Sequence, residues 1–234
     1  MKRELHQAEE AIESATGDRP TGFRGPGYSL SLTTLEALRA RDYRYDASTL
    51  PTVIGPLARA YYLRSTGMDE AEREQRSHLF GTVSDGFRSL HPYRWDLPQG
   101  PLLEIPVTTM PLARVPFHLS YVLYLAERST RLALRYFRTA LRLCRLRNVE
   151  PSVLLHPLDF LGANDIDSLA FFPGMAMPAR LKIEVVTAAL EILCEQHDVG
   201  TMLQHAEACS ARVTPLETPR FDGFASHDHP IGSP

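Results

Sequence analysis

Apolar residues recur every three or four positions over residues 3–16, where Leu5, Ala8, Ile12 and Ala15 share a face and Gly17 is placed to end a helix. Pro20-Thr21-Gly22-Phe23 is a short extended piece leading into a glycine- and proline-rich turn, Arg24-Gly25-Pro26-Gly27-Tyr28. Ser31 can cap a second helix, Leu32 to Arg41, with Leu32, Leu35 and Leu38 on one face. Tyr43 to Asp46 alternates as a strand does. Periodicity then fades between Pro51 and Gly100, a stretch punctuated by glycine and proline with aromatic pairs such as Tyr61-Tyr62. A loop this long is uncommon unless it contributes to a site. Beyond it the pattern predicts a strand over Leu102–Val107 and a long helical region over His118–Arg147, broken near Ser129-Thr130. Next come a buried strand over Ser152–His156, an amphipathic helix over Pro178–His197, a last strand over Gly200–Leu203 and a small terminal helix. From Thr214 the chain is rich in Pro, Gly, Ser and His and reads as a disordered tail, residues 214–234, after a single domain over 1–213.

Strands separated by helices of ten residues or more indicate an α/β architecture with a parallel sheet. Only about four strands are visible. An open sheet or an incomplete barrel fits, whereas a whole eight-unit barrel takes roughly 250 residues. The 234 residues carry 25 Lys+Arg against 28 Asp+Glu, a net charge of −3, which gives no electrostatic reason to expect nucleic acid as a partner. No run of apolar residues is long enough for a membrane span. The charged opening Met1-Lys2-Arg3-Glu4 leads into no apolar run, so no signal peptide is expected. Cys144, Cys194 and Cys209 form an odd, sparse set. With Cys144 and Cys194 among apolar neighbours, they suit reduced thiols in the cytoplasm better than a disulfide framework. Lys2 and Lys182 are the only lysines and neither follows a glycine, which excludes a phosphate loop.

Two segments place polar residues just past the C-terminal end of a strand, the edge where ligands collect in parallel α/β folds. In Phe23-Arg24-Gly25-Pro26-Gly27-Tyr28-Ser29 the glycines let backbone N–H groups approach a ligand, and Arg24 can hold a carboxylate or a developing negative charge. The composition by itself favours a plain β-to-α turn with an exposed Arg. In Leu154-Leu155-His156-Pro157-Leu158-Asp159, a His leaves an apolar strand with an Asp three residues on. It can serve as a general acid or base, or be a satisfied core histidine.

Together these segments resemble the polysaccharide deacetylase family, the NodB-homology group of metal-dependent carbohydrate esterases. Gly22 to Tyr28, Tyr45-Asp46-Ala47-Ser48-Thr49-Leu50-Pro51, Leu103-Glu104-Ile105-Pro106-Val107 and Leu154-Leu155-His156-Pro157 carry the resemblance in order and spacing, and it extends to about residue 206. It implies a partial, distorted (β/α) barrel and a hydrolase removing N-acetyl groups from sugars of a polysaccharide or its precursor. It also implies a zinc-like divalent cofactor, held in the family by an Asp and two His residues, that activates water. Carried across, Arg24 matches the Arg that orients the catalytic base, and Tyr28 the aromatic whose backbone N–H faces the oxyanion. Pro26 and Gly27 complete that substrate-facing turn, Leu154 lines the acetyl pocket and His156 is the general acid. The extra Gly27 leaves open whether it or Tyr28 supplies the oxyanion donor.

The family's base Asp, metal Asp and His-x-x-x-His-like pair lie upstream of the helix that begins here at Arg3. Metal ligands are therefore expected to be absent, the chain alone to be inactive, and self-association through an uncovered barrel edge to follow. The alternative is a non-catalytic binding or interaction module built from a truncated deacetylase. Three further patterns compete for attention. Cys194-x-x-His197 and His205-x-x-x-Cys209 look like halves of a zinc site, but Cys194 shares the apolar face of Leu190 and Leu193, which favours packing. His227-Asp228-His229 reads as a solvated tail ahead of a surface metal binder. The stripe Arg128, Arg131, Arg135, Arg138, Arg142 and Arg145 reads as a solvated helix face ahead of a phosphate or RNA site.

Overall fold

A computed structural model describes residues 2–54, 86–162, 164–166, 169, 172, 174–212 and 216–220. In chain order the elements are α1 (Lys2–Thr16), β1 (Gly22–Phe23), α2 (Leu32–Ala40), β2 (Tyr45–Asp46), β3 (Tyr93–Trp95) and β4 (Leu102–Glu104). Helices α3 (Leu119–Ala126), α4 (Thr130–Leu146), α5 (Ala179–Gln196) and α6 (Met202–Ser210) follow. The strands form one sheet in the order β1-β2-β4-β3, parallel except for the antiparallel β3–β4 pair. This sheet is open, so the expected barrel character does not appear among the described residues.

Local chemistry explains most boundaries. Ser31 caps α2 by accepting from Thr34 N at 3.1 Å, and Ser129 caps α4 by accepting from Leu132 N, which splits the 118–147 region where expected. Along α4 the buried Ala133, Phe137, Ala140, Leu141 and Cys144 keep the helical period. They meet α3 and α5 in the larger core, while α2 packs Leu35 and Leu38 with Tyr43, Tyr93, Trp95 and Leu102 in a second core beside the sheet. The arginine stripe on α4 is exposed except for the half-buried Arg138. Helix α1 departs from its expected apolar face. Ile12 is exposed, and the helix is tied down by Leu5 and by buried Glu9, which pairs with Arg41 and Arg19.

Four expectations need correction. Ser152–His156 is extended but is not a strand. Ser152 O accepts from Thr108 N at 3.4 Å, but Ser152 N donates to the side-chain oxygen of Thr108 at 2.7 Å and Leu154 O accepts from Leu119 N at the start of α3, so no ladder continues. Met202 and Leu203 open α6 rather than lying in a strand, because Thr201 and Gln204 form a reciprocal capping box. Cys194 is exposed, whereas Cys144 and Cys209 are buried; all three are unpaired. Within the stretch that reads as irregular, β3 supplies the antiparallel edge. Residues 216–220 of the expected tail run along it, with Arg94 N donating to Glu217 O and Asp96 N to Pro219 O. Tyr61-Tyr62, most of the 51–100 loop and His227-Asp228-His229 lie outside the described residues.

Candidate functional site

The parallel register sets Phe23 beside Asp46 and Asp46 beside Glu104. The residues that follow these strands therefore emerge together at their C-terminal edge. Asp46 and Glu104 are both fully buried. Glu104 accepts from Thr49 N and from Trp95 Nε1, each at 2.9 Å, while Asp46 accepts from Ser48 N at 3.2 Å and Ser48 Oγ at 2.7 Å. Burial, and then Glu104 alongside, push the Asp46 carboxyl well above the usual carboxylate range.

This pair is wired to the glycine-rich turn. Ser48 Oγ accepts from Gly25 N at 2.7 Å, and Arg24 Nε donates to Ala47 O at 2.9 Å. Gly25 is required there: a Cβ on it would lie 2.0 Å from Ser29 O. Gly27 and Tyr28 then turn through left-handed conformations with φ of 60° and 62°. Tyr28 N donates to Gly25 O at 2.9 Å and Ser29 N to Pro26 O. The Tyr28 N–H is thus bonded inside the turn. Pro26 has no N–H, and Gly27 between it and Tyr28 is exposed. The Tyr28 phenol is pushed up to about 12 by burial and lies within electrostatic reach of Arg24, Tyr121 and Asp159.

His156 sits at the entry to a tight turn, Pro157–Asp159. Its backbone N–H donates to Asp159 Oδ2 at 2.7 Å. Ser120, on α3, donates its single proton to Asp159 Oδ1 at 2.7 Å, so its oxygen receives the proton of His156 Nδ1, 2.9 Å away. With that bond the proton of the neutral ring sits on Nδ1 and the lone pair on Nε2. Buried Lys182 reaches across from α5 and donates to Leu158 O at 2.8 Å and Leu161 O at 2.6 Å, holding the turn from behind. Beside His156 lies His118, with ring centroids 5.6 Å apart. Burial, then the nearby His156 and Arg24, lower the His118 pKa to about 3, so it is a neutral imidazole. Leu154 is buried just before this segment.

The structure therefore brings Arg24, Tyr28 and His156 into one neighbourhood together with Ser120, Tyr121, His118 and Asp159, which sequence reasoning did not single out as a set. Only Asp159 carried a signal, its spacing from His156. Among the described residues, no three metal-ligating side chains converge here. Both oxygens of Asp159 are held by Ser120 and His156, the Asp46 and Glu104 oxygens face inward, and His156 Nδ1 is bonded to Ser120. Among the described residues, three ligand-bearing side chains converge elsewhere, at Glu150, His205 and Cys209.

No family model matches the chain, and no curated protein matches it. Among solved structures it is similar to a Mycobacterium smegmatis protein described as a candidate polysaccharide deacetylase, at 18% identity and a TM-score of 0.51, over 94% of this chain. The chain spans 59% of the length of that structure. At this identity the likeness is one of fold, an α/β architecture of the kind seen in that protein.

Proposed function

We propose that this chain carries the proton-donating and carbonyl-polarising part of a polysaccharide-deacetylase-type site that takes N-acetylated sugars. The observation that supports it is the convergence of the Arg24–Tyr28 turn with the Ser120–His156–Asp159 cluster at the C-terminal edge of the parallel strands. In this reading the Gly27 N–H and the Arg24 guanidinium polarise the acetyl carbonyl. Leu154 and the Tyr28 ring border the methyl group. His156, protonated on both nitrogens when charged, gives its Nε2 proton to the departing amine, with Ser120 and Asp159 fixing the ring. Hydrolysis also needs a nucleophile from water, which takes a metal or a free base. The site's carboxylates are committed to internal partners, so this chain alone is expected to bind without turnover.

The family's zinc-like metal is expected from residues other than those at this site. No helix among the described residues is long and apolar enough to cross a membrane. Three unpaired thiols support a reducing compartment such as the cytoplasm.

The test pairs binding with turnover. Titration with an N-acetylated chito-oligosaccharide should perturb the His156 ring signals, its de-N-acetylated counterpart should not, and Arg24→Ala should weaken the effect. A deacetylation assay with added zinc, cobalt or manganese should show no product. Equal binding of both sugars, or of neither, would refute the substrate class. Metal-dependent turnover lost in His156→Ala would show a complete enzyme.

A further inference from the structure

Helix α6 covers the face of β4 opposite Glu104: Ala206 and Cys209 pack on Leu103 and Ile105, which alternate with Glu104 along the chain. His205 and Cys209 are one helical turn apart and share a side of α6. Cys209 Sγ lies 3.7 Å from His205 Nε2, and Glu150 Oε2 lies 3.9 Å from His205 Nδ1. One ligand atom from each of the three lies within 4.8 Å of the others. Glu150 is not on a loose arm, because the preceding Val149 is buried and its N–H donates to Cys144 O at 2.8 Å.

From this geometry we infer that Glu150, His205 and Cys209 form a site for a zinc-class divalent cation, separate from the Arg24–His156 site. Zinc bonds of about 2.3 Å to sulfur and 2.0–2.1 Å to nitrogen, at tetrahedral angles, separate the two ligand atoms by about 3.5 Å, close to the spacing already present. The carboxylate lies on the Nδ1 side of the ring and the sulfur on the Nε2 side, so a shared shell forms by rotation of the exposed Glu150 side chain, starting from ligand atoms within 4.8 Å of one another. Exposure falls from 52% at Glu150 to 24% at His205 and 1% at Cys209, so the thiol forms the floor and the carboxylate the mouth. Arg212 already bonds Glu150 Oε2 and orients the carboxylate, as outer partners of metal ligands do.

Three protein ligands leave a fourth position for water. On binding, the Cys209 thiol releases its proton to solvent and the sulfur becomes an anionic ligand. A thiolate and an imidazole suit a cation that binds sulfur and nitrogen, which selects zinc or cobalt over magnesium or calcium. The sequence offers the His205-x-x-x-Cys209 half of this set. Its third member is Glu150, far away in sequence, and not Cys194 or His197.

Cobalt titration of the full chain tests the assignment. One equivalent of Co²⁺ should give a near-ultraviolet thiolate-to-cobalt band that zinc then removes. His205→Gln should abolish the band, Glu150→Gln should weaken binding about tenfold or more, and Cys194→Ser should leave it intact. Because Cys209→Ser can unfold a buried position, the thiol is read in the unmodified chain: zinc should protect Cys209, and not Cys194, from alkylation mapped by mass spectrometry. Absence of the band at one equivalent would overturn the site. So would a band lost in Cys194→Ser but kept in His205→Gln, or Cys209 alkylation indifferent to zinc.

Discussion

Lowering the pH should destabilise this protein, and His118 is a main contributor. Burial and the neighbouring His156 and Arg24 hold its pKa near 3, against 6.5 in an unstructured chain. A histidine whose folded pKa is depressed leaves stability intact above the unfolded value. Stability is then lost as pH falls from 6.5 toward 3, because the unfolded chain takes up the proton first. Between pH 7.5 and pH 5 the loss from this group comes to about 2 kcal/mol. The figure changes little if the folded value is nearer 4, since at pH 5 the native ring is neutral in either case. His118→Phe keeps a ring against Tyr121, whose centroid lies 4.7 Å away, and removes the titration. Urea unfolding of both proteins at the two pH values isolates the effect. Other titrating groups are common to both chains, and any packing cost of Phe is common to both pH values. The pH-dependent loss in His118→Phe should be smaller by about 2 kcal/mol. Equal losses in the two proteins would mean that His118 is protonated or solvated in the native state, and the buried neutral imidazole would have to be abandoned.

Asp46→Asn should act in the opposite sense. An acid whose folded pKa is raised costs stability as pH climbs above its unfolded value, so the Asn variant should gain on the wild type between pH 4 and pH 8 in the same urea assay. Trp95→Phe removes the Nε1 donor from buried Glu104 and should lower unfolding free energy by about 1–3 kcal/mol, measured at pH 7. Lys182→Met leaves Leu158 O and Leu161 O without their shared donor, so amide exchange should quicken across residues 157–162 relative to α4. Ser120→Ala should scramble the His156 tautomer, seen as averaging of the two ring nitrogen-15 shifts, without unfolding α3.

The helices were readable because their signals are local. Ser31 caps where a cap is expected, the helix break falls at Ser129 as expected, and the 3.6-residue period of α4 survives in its buried face. The sheet was less readable because its strands are two or three residues long and alternation needs more than that to show. Ser152–His156 has the composition of a buried strand, yet only hydrogen-bond partners far away in sequence decide the matter, and Thr108 and α3 take them. In α6 the signal was present, since Thr201-x-x-Gln204 is a capping box, but the apolar Met202-Leu203 pair outweighed it. At the site, Arg24 and His156 were visible as polar residues following apolar ones. Ser120 was hidden as a lone hydroxyl inside the apolar run of α3, and Asp46 and Glu104 looked like ordinary strand ends because their pairing depends on register.

That register also explains why so costly a pair is kept. Two carboxyl groups buried side by side give up hydration that a pair of apolar residues would not. The sheet they sit in has few ladder bonds to hold its strands, with β1 and β2 each two residues long. Side chains supply what the ladder lacks. Glu104 fastens β4 to β3 through Trp95 and to the segment after β2 through Thr49, and Asp46 fastens that same segment through Ser48. Ser48 then passes the constraint to the Gly25 N–H, and Arg24 closes the loop on Ala47 O. The turn carrying Arg24, Gly27 and Tyr28 is thus positioned by a polar network reaching three strands deep. A fully satisfied buried network of this kind gives rigidity to the turn at the C-terminal edge of the parallel strands.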